Sequence, residues 1–378
     1  MIPVHRPCLG QAELDAVARV FASRWLGMGK VCAEFEKRLQ EFLRAKHVIA
    51  VSSGTAALHL ALDALALPDD AEVIIPSLTF VSSVQAVLAA GARPVFCEVR
   101  PETLNMDMGD VRRRLTARTR AIVAVHYGGF PCDMEALLRL AREHGLRVVE
   151  DAAHAFGSLF QGSQAGTLGD IGCFSFDPIK NITCGGGGAI ATNDDTLAQR
   201  LGPLHNVGIG KASWLRLDDE RPWFYEVTDR GLRYHLGDMN AAIGLEQLNR
   251  AGGFQAAKRA IVRRYDHAFR GMAGVVCLDH DLDSAFPFSY VIRVLDGRRD
   301  HMARWLRKRE IGSTVEFIPN HLQPAFAEFR APLPVTERLY GEILSLPLYT
   351  EMGASDVDQV IAAVQCYFKE GTHDRSGS

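Results

Sequence analysis

Between residues 47 and 192, short apolar runs and helix-patterned stretches take turns, and this alternation constrains the fold more than any other feature of the chain. His47 to Ser52 is followed by Thr55 to Leu67, Val73 to Pro76 by Val81 to Ala90, and Ala121 to His126 by Met134 to His144. Pro94 to Val99, Leu146 to Asp151, Ile171 to Phe176 and Ala189 to Thr192 are further apolar runs. Apolar runs joined by amphipathic helices describe strands of one sheet connected by crossover helices. The pattern predicts an α/β domain whose mostly parallel, mixed sheet of about seven strands lies between helices.

Two amphipathic helices precede this region. Leu14, Val17, Val20 and Phe21 fall at helical spacing in Gln11 to Phe21, as do Phe35, Leu39, Phe42 and Leu43 in Cys32 to Leu43. Near residue 250 the pattern changes to a long helical stretch, Gly237 to His267, then one clear strand, Phe288 to Val294, and a helix, Asp300 to Arg309. A chain of 378 residues exceeds the size at which single cores stop growing. We therefore divide it into a large α/β domain (residues 1–248), a smaller α+β domain (249–370) and a polar, disordered tail (371–378).

Composition narrows the partners. With 42 basic and 45 acidic side chains the formal charge is -3, which favours neither nucleic acid nor an acidic polymer. The eight cysteines are scattered without a CxxC pair, so neither a zinc site nor a disulfide scaffold is expected. The start, Met1 to Cys8, has no apolar leader, and no run reaches the roughly 18 apolar residues of a membrane span. These features lead us to expect a soluble, cytoplasmic protein with reduced thiols and no metal.

Lys180 is the first candidate for chemistry, placed after the apolar run Asp170 to Phe176 and before the glycines Gly185 to Gly188. An amine at the mouth of an apolar sheet loses hydration, its charged form is disfavoured, and it can attack an aldehyde. Asp151 and His154 end another strand, at the sheet edge where ligands of open α/β sheets bind. A carboxylate there can keep a pyridine nitrogen protonated. Ser53-Gly54-Thr55-Ala56 opens an apolar helix whose free amides suit a phosphate, and Ser175 can add a hydroxyl. Phe80, at a strand tip, can stack on a flat ring.

Each feature alone has a plainer reading: a solvated lysine, a helix cap, a core phenylalanine. No nucleotide P-loop is present, because the Lys180-to-glycine order is reversed for that motif, and no GxGxxG opens a helix. Together, however, an amine, a carboxylate, a stacking aromatic and a phosphate-binding helix start are what pyridoxal phosphate requires.

These residues sit in stretches that resemble the DegT/DnrJ/EryC1/StrS family of sugar aminotransferases, a fold type I pyridoxal-phosphate group, from Ile2-Pro3 to about Val364. The stretches include Trp25-Leu26-Gly27-Met28-Gly29, Ser53-Gly54-Thr55-Ala56-Ala57-Leu58, Pro76-Ser77-Leu78-Thr79-Phe80, Glu150-Asp151-Ala152-Ala153-His154-Ala155 and Ser175-Phe176-Asp177-Pro178-Ile179-Lys180-Asn181. The resemblance implies that Lys180 bonds the cofactor, Asp151 pairs with its ring nitrogen and His154 contacts its ring hydroxyl. It implies further that Gly54, Thr55, Ala56 and Ser175 hold the phosphate while Phe80 lies on the ring. A homodimer with shared active sites is also implied.

Several positions depart from the family pattern. Arg233 stands where an asparagine reaches the partner's phosphate, and its charged fork is expected to keep that role. His235 replaces an arginine, Gly186 a glutamate, and Glu316-Phe317 a histidine-tyrosine pair, whereas His321 matches. Trp25, His235, Glu316 and His321 are the expected substrate contacts. The implied reaction moves an amino group from an amino acid, L-glutamate, to a keto group of a nucleotide-linked sugar. Transamination of a keto-cyclitol is an alternative within the same chemistry. A sugar dehydratase relative would carry histidine in place of Lys180, and a non-catalytic regulator would have no need of the intact lysine, aspartate and phosphate helix.

Overall fold

The computed structural model describes residues 1–210, 213–216 and 220–370; the tail expected at 371–378 lies outside the described residues. Along the chain the helices are α1 (Gln11–Ser23), α2 (Lys30–Leu43), α3 (Gly54–Ala64), α4 (Val81–Ala89), α5 (Met108–Arg113), α6 (Met134–His144), α7 (Asp195–Leu204), α8 (Asp238–Phe269), α9 (Arg299–Lys308), α10 (Pro334–Glu342) and α11 (Ala354–Glu370). The strands are β1 (His47–Val51), β2 (Glu72–Pro76), β3 (Arg93–Cys97), β4 (Thr119–Val125), β5 (Arg147–Asp151), β6 (Leu159–Phe160), β7 (Ser163–Gln164), β8 (Ile171–Ser175), β9 (Gly188–Thr192), β10 (Val275–Cys277), β11 (Tyr290–Val294) and β12 (Ile343–Leu346).

A seven-stranded sheet in the order β1-β9-β8-β5-β4-β2-β3 organises the first part of the chain. β3, β2, β4, β5 and β8 pair in parallel, and β9 runs antiparallel to both β8 and β1. The expected mixed, mostly parallel sheet is therefore present. Its central strands read as continuous apolar runs because both faces are covered. Val73 and Ile75 of β2 join Val123 of β4 under α3, α4 and α7, while Ile74, Ile122 and Val148 face α5 and α6. α2 and the start of α8 close over β1, β8 and β9 through Phe35, Leu39, Phe174 and Ala189.

The second unit is an antiparallel sheet, β10-β11-β12, packed on α9, α11 and the end of α8. Sequence pattern reveals only β11 here. β10 and β12 span 3 and 4 residues, too few for a period-two pattern to be recognised. The division at residue 248 remains our proposal, with the 32-residue α8 crossing it as one helix. The first residues pack on the second unit: the Ile2 amide donates to Glu310 O (2.7 Å) and the Gly312 amide to Ile2 O (2.8 Å). No helix among the described residues is long and apolar enough to cross a membrane.

Strand direction brings separate parts of the sequence together. The C-terminal ends of β1, β2, β4, β5 and β8 and the start of β9 meet at one edge of the sheet, the usual ligand edge of such folds.

Candidate active site

A cavity opens at that edge, and successive strand exits supply its floor. Ser53, Gly54 and Thr55 follow β1, Thr79 and Phe80 follow β2, Asp151 and His154 follow β5, and Ser175 and Lys180 follow β8. Phe288, Glu316 and Phe317 of the second unit form the opposing wall. Five residues dispersed over the sequence, Gly54, Phe80, Asp151, Ser175 and Lys180, thus converge because parallel strands end together.

Asp151 is held in place by its neighbours. Ser83 Oγ donates to Oδ2 at 2.6 Å, the Ala153 amide donates to Oδ1 at 3.1 Å, and Thr79 Oγ1 lies 3.1 Å from Ser83 Oγ. The residue is 5% exposed, so its charge is presented only toward the cavity. Ser83 on α4 is a contributor that sequence reading misses. Its only local signal is the pair Ser82-Ser83 at the start of a mostly apolar helix.

The Lys180 ammonium sits 4.4 Å from the centre of the Phe288 ring. Burial pushes its pKa below the ordinary lysine value, while the charges of Glu316, Asp151 and Asp177 pull the other way. The amine is consequently easier to deprotonate than a surface lysine. His154 stacks on the same Phe288 ring, with centres 4.1 Å apart, and lies tilted 5.7 Å from Phe317. Burial, reinforced by the neighbouring Lys180, His5 and Lys258, pushes its pKa well below the usual histidine value. The ring is therefore neutral, and its buried Nδ1 has no partner.

At the start of α3, Ser53 Oγ accepts from the Ala56 amide (3.0 Å) and Ser53 O from the Ala57 amide (3.0 Å), leaving Gly54 and Thr55 to offer amide donors. Thr55 Oγ1 lies 2.7 Å from Ser82 Oγ. Position 54 must be glycine for space: a Cβ there would stand 2.8 Å from Ser175 Cβ. The helix start and the Ser175 hydroxyl are thereby brought together as one cradle. The later glycines serve the chain path instead. Gly185 turns in the left-handed region (φ 71°), and a Cβ at Gly188 would meet Ser53 O at 2.5 Å.

Some expected residues lie elsewhere. Ala56 is buried and does not line the cavity, because its amide is already used by Ser53. His321 is 1% exposed and locked in the wall between Ser77 Oγ (2.7 Å) and Glu337 (3.2 Å), so it touches no ligand space. Trp25 donates its indole N–H to Met28 O (3.1 Å) in the α1–α2 connection, also outside the cavity. Arg233 and His235 form isolated bridges with Asn206 and Val51 and do not line this chain's cavity. Glu316 does line it: Oε1 lies 2.9 Å from His5 Nε2 and Oε2 is buried without a partner. His5, from the chain start, stacks on Phe288 at 4.8 Å, a contact that nothing in its local sequence signals. Gly186 borders the cavity and Phe80, 54% exposed, stands at its mouth 5.6 Å from Phe317.

These features fit pyridoxal phosphate. Lys180 supplies the amine, Asp151 a fixed carboxylate, Phe80 and His154 flat surfaces, and Gly54, Thr55 and Ser175 a cradle that a side chain at 54 would fill. The unpartnered His154 Nδ1 offers a further contact to a polar ring substituent. Among the described residues no group of His, Cys, Asp and Glu could hold a metal ion.

Comparison with known proteins agrees with this geometry. The model of the DegT/DnrJ/EryC1/StrS aminotransferase family matches residues 7–365. The spore coat polysaccharide biosynthesis protein SpsC of Bacillus subtilis is 38% identical over 374 residues, covering 96% of each chain. The sugar aminotransferase CalS13 of Micromonospora echinospora superposes with a TM-score of 0.90 at 30% identity, over 97% of this chain and 100% of that one. Spr1654 of Streptococcus pneumoniae, solved in its PLP form, gives 0.89 at 25% identity over 98% and 99%. Fold, cavity and family model converge, and the chain belongs to the DegT/DnrJ/EryC1/StrS aminotransferase family as a pyridoxal-phosphate-dependent transaminase.

Proposed function

We propose that this transaminase moves an amino group from L-glutamate to a keto group of a nucleotide-linked sugar, as a step of amino-sugar biosynthesis. The observation that carries the reading is the meeting of Lys180 and Asp151, from separate strand exits, in one cavity beside the Gly54–Ser175 cradle. When bound, pyridoxal phosphate supplies an electrophilic carbon and a ring that accepts electrons from the donor's α-carbon. Asp151, fixed by Ser83 and the Ala153 amide, holds a proton at the ring nitrogen. The Lys180 amine, with its charge disfavoured by burial, would take the proton from the donor α-carbon and deliver it to the carbon that carried the cofactor's aldehyde. In the second half the same lysine passes a proton in the opposite sense for the keto acceptor. Phe288 and Phe317 line the cavity beside these groups, and Phe80 stands at its mouth.

A donor carboxylate calls for a cation, and among the described residues no arginine lines the cavity of one chain. In our reading a second copy completes the site, with Arg233 reaching the neighbour's phosphate and His235 beside it. Exposed Trp223 (74%), Tyr225 (53%) and Val227 (62%), on the segment leading to Arg233, give that copy an apolar surface to cover. Trp25 and Glu316 remain our assignments for the sugar side. The scattered cysteines suit a reducing compartment, and we place the enzyme in the cytoplasm.

The test is spectroscopic. Purified protein charged with cofactor is treated with L-glutamate, which should bleach the visible band, and then with a panel of nucleotide-linked 3-keto and 4-keto sugars. Return of the band with one sugar identifies the acceptor. Failure with every sugar, combined with return on a keto-cyclitol, would overturn the assignment of substrate.

A further inference from the structure

Behind the cavity wall, in the second half of α8, lies a second lysine that the chemistry above does not use. Lys258 is 4% exposed, and its Nζ donates to Asn181 Oδ1 at 2.9 Å. Asn181 directly follows Lys180. Its own amide nitrogen donates to Phe286 O (2.9 Å) and His154 O (3.4 Å), so it ties the Lys180 turn to the β5 exit and to the second unit's wall. Both lysines also address one aromatic ring: Lys180 Nζ is 4.4 Å and Lys258 Nζ 5.8 Å from the centre of Phe288. Two ammonium groups confined around one buried ring repel strongly, because little water screens them.

The other charged and titratable groups here are few. His5 and His154 stack on the same ring, Glu316 attracts both lysines, and Asp151 and Asp177 favour charge on Lys180. Tyr127 places a buried, unpartnered hydroxyl within reach of the Glu316 field. Glu316 is the carboxylate the two lysines share, and Asp151 and Asp177 act on Lys180 alone, so the balance of charge favours the proton on Lys180 over Lys258.

We infer that Lys258 is a positioning residue for Lys180: through Asn181 it fixes the turn carrying Lys180, and its amine competes with Lys180 for a single proton. The inference rests on Lys180 being the cofactor-bonding lysine. For Lys180 to attack an aldehyde its ammonium must lose a proton; Lys258, when neutral, takes it up, so the charge moves one residue back and no net proton leaves the site. Burial pushes Lys258 down to about 7, with the Lys180 charge acting in the same direction, which leaves it ready to exchange a proton near neutrality.

The experiment measures the half-protonation pH of Lys180 in the cofactor-free full chain, by competitive acetylation read by mass spectrometry. Wild type is compared with Lys258→Arg, which carries a permanent charge, Lys258→Met, which carries none, and Lys258→Gln, which keeps a hydrogen bond to Asn181 without charge. The expected order is Arg lowest, wild type between, and Met and Gln highest, with about one pH unit from Arg to Met. Equal values in all four proteins, or the reverse order, would overturn the inference, even if stability changes. Lys180→Ala provides the separate check. A visible cofactor band that survives this change defeats the role of Lys180 itself, whatever order the Lys258 variants show.

Discussion

Glu150 precedes Asp151, yet it is buried completely and has no access to the cavity. It accepts four hydrogen bonds: on Oε1 from the Leu168 (2.7 Å) and Gly169 (2.6 Å) amides, on Oε2 from the Gly166 amide (2.8 Å) and His126 Nε2 (2.9 Å). The Cys132 amide donates to His126 Nδ1 at 3.0 Å, so the imidazole is the neutral tautomer with its proton on Nε2. All four partners are therefore donors, and only a carboxylate can satisfy them. In Glu150→Gln one oxygen becomes an NH2 group, and whichever way the amide turns, two donors face another donor. Each buried donor left without an acceptor costs about 1–3 kcal/mol, and relief from burying a charge offsets part of this. The expected loss is about 3 kcal/mol in urea unfolding of the cofactor-free protein. The loop 166–169 also packs on β8, since a Cβ at Gly172 would collide with Gly166 O, so cofactor affinity should fall with stability. A loss below about 0.5 kcal/mol would refute the reasoning, because it would mean that the loop amides find other acceptors.

Other changes test other parts of the molecule. Lys180→Ala should abolish the visible cofactor band and turnover together, and Asp151→Asn should cut kcat by about 10²-fold or more while cofactor still binds, both read by absorbance and steady-state kinetics. Gly54→Ala puts a methyl 2.8 Å from Ser175 Cβ and should weaken cofactor binding, with about 1–3 kcal/mol of stability lost to overpacking. Gly252→Ala and Gly253→Ala should each stabilise by about 0.5–1 kcal/mol in thermal unfolding, because both positions are helical and a Cβ meets nothing within 4 Å. Lys258, lowered to about 7 when folded, binds fewer protons folded than unfolded between that pH and the ordinary lysine value. Its unfavourable contribution is therefore relieved as pH rises through this window, and Lys258→Met should flatten the rise in stability seen by urea titration.

The large sheet is legible in the sequence because its central strands are buried on both faces and punctuated by strong turn and cap residues such as Ser53 and Asp133. The small sheet is not, since β10 and β12 are stabilised by partners distant in sequence rather than by a pattern of their own. At the cavity, strand-end residues stand out in a linear reading because several parallel strands finish at one edge. Ser83, Phe288, His5 and Lys258 do not, for each becomes relevant only through contacts across the fold. Ala56 and His321 show the converse. Their motif positions fit, but the Ser53 hydroxyl and the Ser77–Glu337 pair already satisfy their polar groups.

The continuity of α8 has a mechanical consequence. Its first half is seated on α1 and α2 beside the cavity floor, and its last turns are built into the sheet that carries the opposing wall. Floor and wall are thus mounted on one shaft, so a change in their spacing has to be taken up as bending of that shaft. Gly252 and Gly253 stand side by side on its solvent face near the junction, where helices yield most readily. Stiffening that point with two alanines should make the molecule harder to unfold and, at the same time, make the gap between Phe80 and Phe317 less adjustable to acceptors of different size.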